Sequence, residues 1–290
     1  MAAKPSGGHS DIPAHCAVND VVQHAANGTT LDGVRRDLAD EQQALDDTVA
    51  NITDEQFQLP TPSPGWSVAD QVGHLTYFDG AGASAISDPE GFADRARQLY
   101  EGAAARGIDE YTLGSFRSLS SSEQLASWRH NRTILLEASR SLHAGDRVAW
   151  YGPSMGAVSF LTARLMETWA HGVDVADALA VSQSSTERLQ HIARLGFMTR
   201  KWSYAVRGED VPDGEVRVEL TSPTGEQWTW GDEGAIDTVR GSAHEFCLVV
   251  TQRRHIDDTS LETGDLGRHW LLRAQAFAGA ASNGPQARSS

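Results

Sequence analysis

The sequence predicts an α+β protein, a helical bundle over residues 31–207 followed by a small α/β unit over 208–280. Three observations carry that reading. Apolar residues recur three and four apart through the first part, as in Leu31, Val34 and Leu38 or Leu161 and Leu165, the mark of helices with one core-facing stripe. Past Gly208 the period drops to two at Val216, Val218 and Leu220, the mark of a half-buried strand. The chain has 290 residues, 40% of them hydrophobic, which is enough for one large domain or two modest ones.

Residues 1–30 are rich in Gly, Ser, Ala and His without a sustained period, and are expected to form a flexible extension with a short helix near Val18 to Ala26. Cys16 lies in it as a free thiol. From Leu31 to Ile52 the stripe continues through Leu45 and Val49, with Thr30 placed to cap the helix. Leu59-Pro-Thr-Pro-Ser-Pro-Gly-Trp66 cannot be helical. Ser67 restarts a helix with Asp70 three residues on, a capping-box spacing, and Val68, Val72 and Leu75 form its core stripe. Gln71, His74 and Phe78 run beside that stripe.

Ile86 to Ser121 mixes Gly, Asp and Pro with short helical pieces, and reads as a long excursion over one mouth of the bundle. Ser122 to Leu142 is an amphipathic helix carrying Leu125, Trp128 and Leu135. An aromatic loop, Arg147 to Pro153, precedes the central helix, Ser159 to Leu179, and a further helix runs from Thr186 to Arg207. Beyond it, Trp228 and Trp230 alternate on the partner strand of a hairpin turned by Ser222-Pro-Thr-Gly225, and Ile236 to Val239 offer a third strand. Ser242 caps a helix ending in Arg253-Arg-His255. A strand near Leu261, a helix with Trp270, Leu271, Ala274 and Phe277, and a disordered tail over 281–290 complete the chain.

The central helix carries the chemistry. Arg164, Glu167, His171 and Asp174 follow one another three and four apart, so their side chains share a face of a mostly apolar helix. A buried carboxylate beside an imidazole is unfavourable unless both are compensated, and a divalent metal compensates both. His74 flanks the core face of a helix that must pack alongside. Two histidines and a carboxylate suit Zn²⁺ with a fourth position open; Fe²⁺ and Ni²⁺ fit the same set. The ordinary alternative is a solvated Glu–His pair. Asp174 is placed either to orient the His171 ring or to stand as a simple exposed charge, and Trp66 and Trp169 to pack and wall the site. His191, His244, His255 and His269 read as surface or core-edge groups, and His130 and His143 as candidate hydrogen-bond partners of the ligands.

Composition excludes several classes. With 39 acidic against 24 basic residues the net charge is -15, which disfavours a nucleic-acid partner. No run of eighteen or more apolar residues offers a membrane span, and the first residues lack the apolar core of a signal peptide, so a cytoplasmic protein is expected. Two cysteines are too few for a disulfide framework.

Pro64-Gly-Trp-Ser-Val-Ala-Asp-Gln-Val-Gly-His-Leu75 and Arg164-Leu-Met-Glu-Thr-Trp-Ala-His-Gly-Val-Asp-Val-Ala-Asp177 resemble the two signatures of the DinB-like family of mycothiol-dependent enzymes, whose best-known member is maleylpyruvate isomerase. The resemblance spans about residues 31–280. It implies a DinB-like four-helix metal-binding bundle with a small sterol-carrier-like α/β domain, and it places the family's His, Glu and His ligands on His74, Glu167 and His171. It implies mycothiol as thiol co-substrate, activated by the metal for attack on a small-molecule electrophile. S-transfer is the expected reaction, with maleylpyruvate-type isomerisation as the alternative and sulfur-containing natural-product biosynthesis as one setting. A C-terminal-domain arginine binding an acidic substrate would fall on Arg253 or Arg254, with Arg164 as a second anion-binding candidate or a partner of Glu167. A homodimer is the assembly to test for. A metal hydrolase and a non-catalytic metal- or ligand-binding protein are the rival classes; against the first, no His-Glu-x-x-His motif is present.

Overall fold

The computed structural model describes residues 29–288. The expected helix at 18–26 and Cys16 lie outside the described residues. Four long helices form the bundle: α1 (Leu31–Val49), α3 (Val68–Ser87), α6 (Ser121–Ser139) and α7 (Ala157–Leu179). Helix α1 packs on α7, and α3 lies between α6 and α7. A single turn, α2 (Asp54–Phe57), bridges α1 to the proline loop.

The helix starts follow local chemistry. The Thr30 hydroxyl accepts the Gly33 N–H, and Ser67 and Asp70 exchange side-chain and backbone bonds in a capping box at the head of α3. That cap sets where α3 begins, and so puts Gln71 and His74 one turn apart on its second strip.

The 86–121 stretch departs from expectation. It is two regular helices, α4 (Pro89–Arg106) and α5 (Ile108–Arg117), folded against α3. Asp88 caps α4, and Pro89 fills its first position, where a missing N–H is harmless. Gly107, at φ 89°, breaks the two apart. Only Phe92 and Leu99 of α4 are buried, so its apolar stripe is too thin to show in the sequence.

The aromatic loop is a two-residue ribbon, β1 (Arg147–Val148) with β2 (Met155–Gly156). The helix expected at 186–207 is split into α8 (Leu189–Met198) and α9 (Arg200–Ala205). At the junction the Thr199 hydroxyl bonds back to Leu195 O and Gly196 O, competing with the helical ladder.

Strands β3 (Val216–Thr221), β4 (Gln227–Trp230) and β5 (Asp237–Ser242) form one sheet in the order β4-β3-β5. The hairpin pairs Val218 with Trp230 and Leu220 with Trp228, and β5 joins β3 in parallel with Val239 opposite Val218. Helix α10 (Ala243–Val250) stops before Arg253, and the backbone turns at Gln252 with φ 59°. The strand near Leu261 is a single bridge between Arg240 and Glu262, and α11 (Asp265–Leu271) ends short of Ala274 and Phe277. Residues 281–288 hold no regular secondary structure, though the Ser282 carbonyl accepts from Gln252 Nε2 at 2.9 Å.

One apolar cluster runs from Leu161, Leu165 and Trp169 through Ile192 of α8 to Val218, Phe246 and Trp270. A second gathers Val68, Val72, Leu75 and Trp128 around Leu45 and Val175. Among the described residues no helix is long and apolar enough to cross a membrane.

Candidate metal centre

His74 projects from the second turn of α3 toward α7, where Glu167 and His171 stand one turn apart. The three ligand-capable atoms all lie within 4.8 Å of one another. Glu167 Oε2 is 3.7 Å from His74 Nε2 and 3.2 Å from His171 Nε2. Metal–ligand bonds of about 2.1 Å at tetrahedral angles put donor atoms roughly 3.4 Å apart, so the spacing fits a zinc-sized cation. His171 is buried, while the His74 and Glu167 side chains are 19% and 24% exposed, leaving an approach from one side.

The electrostatics agree with ligand chemistry. Burial raises the Glu167 carboxyl, but the adjoining His171 and His74 rings outweigh it and hold the group well below the usual carboxylate range. Burial, and then the neighbouring His74, push His171 down to about 3, which keeps its ring neutral. Anionic carboxylate and neutral imidazole are the forms that bind a divalent ion.

Trp66 closes one wall. Its ring stacks 5.9 Å from that of His171 and lies tilted 5.1 Å from that of His74, and its Nε1 donates to Asp109 Oδ2 at 3.0 Å. Phe78, one turn beyond His74, sits 4.6 Å away and continues into Tyr77, Trp150 and Tyr151. The β1–β2 ribbon supplies the last two. Trp169 lies elsewhere: two residues from both Glu167 and His171, it faces the other side of α7, 6.0 Å from His244 of the C-terminal unit.

The polar strip of α7 divides by partner. Arg164 is paired with the fully buried Asp79 of α3 through Nε at 3.2 Å and Nη2 at 2.8 Å, and not with Glu167. Asp79 also accepts from Gln42 Nε2 at 3.2 Å. Asp174 does not orient the His171 ring; its Oδ2 accepts from Arg253 Nη2 at 2.9 Å and from Ser63 Oγ at 3.1 Å. Arg253 is engaged on every side, its Nε by Ala170 O and its Nη1 by Thr251 O. Arg254 reaches Asp177 at 2.8 and 2.9 Å, one turn further from the trio.

The partner of the His171 ring is Gln71, whose Oε1 meets His171 Nδ1 in a short hydrogen bond. Sequence reading placed Gln71 beside His74 on the right strip but gave it no role, because an isolated glutamine on a helix carries no chemical signal until the facing helix is known. A cavity of about 780 Å³ among α1, α8 and β4 shares no residue with the trio, and its Arg188 and His191 are already paired with Glu41 and Asp37.

A His/Glu/His trio held between two long helices of a four-helix bundle, with a small sheet unit docked behind, defines the DinB-like class. The chain belongs to the mycothiol-dependent family of that class, with residues 38–176 matching the mycothiol maleylpyruvate isomerase N-terminal domain. It is 41% identical over 251 residues to an uncharacterized protein of Mycobacterium tuberculosis recorded in two strains, covering 86% of this chain and 96% of the relative. Among solved structures it resembles a mycothiol-dependent maleylpyruvate isomerase at TM-score 0.54 and 13% identity, and a mutant of such an isomerase at 0.55 and 14%. Each alignment covers 81% of this chain and 93% of the other. At that identity the likeness speaks for the fold.

Proposed function

We propose that this protein is a zinc-dependent mycothiol S-transferase of the cytoplasm, with His74, Glu167 and His171 holding the cation. The observation that carries the reading is the trio itself: two imidazoles and one carboxylate at ligand spacing, open on one side to a partly exposed aromatic wall. A divalent ion bound there supplies the positive charge that favours a thiolate at neutral pH. Trp66, Phe78 and the tyrosines beyond exclude water from that approach and offer flat apolar surface to an acceptor. The new bond joins the mycothiol sulfur to an electrophilic carbon, the bond from that carbon to its leaving group breaks, the leaving group departs with the bonding electrons, and the thiol proton passes to solvent.

The sulfur has to come from outside the described chain. Cys247 is fully buried, its thiol pushed well up by burial, and its Sγ contacts Leu189 O at 3.6 Å. Transfer is favoured over isomerisation of an acidic substrate because the candidate anion-binding arginines, Arg164, Arg253 and Arg254, are each paired with a carboxylate. A hydrolase would need a free base beside the ligands, yet Asp79, Asp174 and Asp109 are each committed to a donor.

The reading predicts that zinc-loaded protein consumes mycothiol together with an uncharged aromatic electrophile, and that a chelator stops it. Turnover of an ester or amide without thiol would support the hydrolase instead.

A further inference from the structure

We infer that Thr61 and Gln71 form a hydrogen-bond relay that dictates which nitrogen of His171 is left bare toward Glu167. The inference rests on the metal reading of the trio, which requires a neutral ring, and is argued from hydrogen-bond polarity. It begins at a group that can only accept, the backbone carbonyl of Trp66. The Thr61 hydroxyl donates to it at 2.9 Å. A hydroxyl has one proton, so the 2.8 Å contact between Thr61 Oγ1 and Gln71 Nε2 must run from the amide to the hydroxyl.

With its NH₂ group turned to Thr61, Gln71 presents its oxygen to His171 Nδ1. That oxygen also only accepts, so Nδ1 carries the ring proton. In the neutral ring that a metal requires there is one N–H, so Nε2 is the bare lone pair, 3.2 Å from a carboxylate oxygen that is itself acceptor-only. Two acceptors at that distance repel each other unless a cation lies between them. The relay thus selects Nε2 as the nitrogen that the ring offers to a metal, and it does so from the loop that also carries Trp66. Gln71 and Thr61 are positioning residues: neither touches the cation or substrate.

Two measurements on the full chain test this. The first is ¹⁵N–¹H correlation spectroscopy of the histidine rings in metal-free protein at neutral pH. The relay predicts a protonated Nδ1 for His171, assigned by loss of the signals in His171→Ala. A bare Nδ1, with the proton on Nε2, overturns it.

The second is zinc affinity by chelator competition, with thermal unfolding of the metal-free variants as a control. Gln71→Leu should weaken zinc by about 10- to 100-fold, whereas Gln71→Glu, still an acceptor, should bind at least as tightly as the wild type. Thr61→Val frees the amide to turn and should produce a smaller loss, and adding it to Gln71→Leu should produce none beyond that of Gln71→Leu alone. Wild-type affinity in Gln71→Leu, or full additivity in the double variant, overturns the relay. If Gln71→Leu does not fold, Gln71→Glu and Thr61→Val decide alone. Wild-type protein that binds no zinc would overturn the metal reading, while the ring spectrum still decides the relay.

Discussion

Glu167 stands between two imidazoles that hold it ionised in spite of burial, and His171 is kept neutral by the same burial. This has a consequence for stability in metal-free protein. His171 titrates near 6.5 when unfolded and near 3 when folded, so between those values the unfolded chain binds a proton that the folded chain refuses. Its contribution to stability is complete above pH 6.5 and is lost as pH falls toward 3. Glu167, with a lowered folded value, loses its contribution below 4.5. Asp79, Glu41 and Asp174, all raised first by burial, run the other way but are common to wild type and variant. His171→Ala should therefore flatten the fall in unfolding free energy between pH 6.5 and 4 relative to wild type, as read by denaturant titration. Parallel pH curves would show that His171 is not held neutral.

At the scale of elements, α7 is the scaffold and its end is strained. Ala180 adopts the left-handed conformation at φ 54°, where glycine is at ease and alanine is not. Ala180→Gly should stabilise the protein by about 1 kcal/mol, measured as a rise in the denaturation midpoint with an unchanged m value. Much of this level was legible in the sequence. The caps at Thr30 and Ser67 are read from residue type and spacing, and Glu167 and His171 share a face because helical geometry leaves no other choice. Their meeting with His74 required two helices to pack side by side, which the quoted motifs implied through resemblance. What escaped reading depended on partners far along the chain. Asp174 could be placed near His171 by spacing, but its capture by Arg253, 79 residues away, could not. The helices at 89–117 were hidden because so few of their residues are buried.

Across the whole molecule, buried ion pairs join what the sequence separates. Arg164 ties α7 to Asp79 of α3, and Arg253 ties the C-terminal unit to α7 and, through Asp174, to Ser63 of the proline loop. Arg164→Met would leave Asp79 buried without its cation and should cost about 3–5 kcal/mol in unfolding free energy. A loss below 1 kcal/mol would mean that Asp79 is protonated in the native protein. These pairs occupy the arginines proposed for an acidic substrate, which is why the proposed reaction is transfer onto an uncharged acceptor.

The central claim is that the trio holds zinc with one position open to an external sulfur. Zinc X-ray absorption on the loaded protein, with and without mycothiol, tests it most directly. Without thiol the account predicts a shell of nitrogen and oxygen only; with mycothiol it predicts one added sulfur at about 2.3 Å. A spectrum unchanged by mycothiol would contradict it.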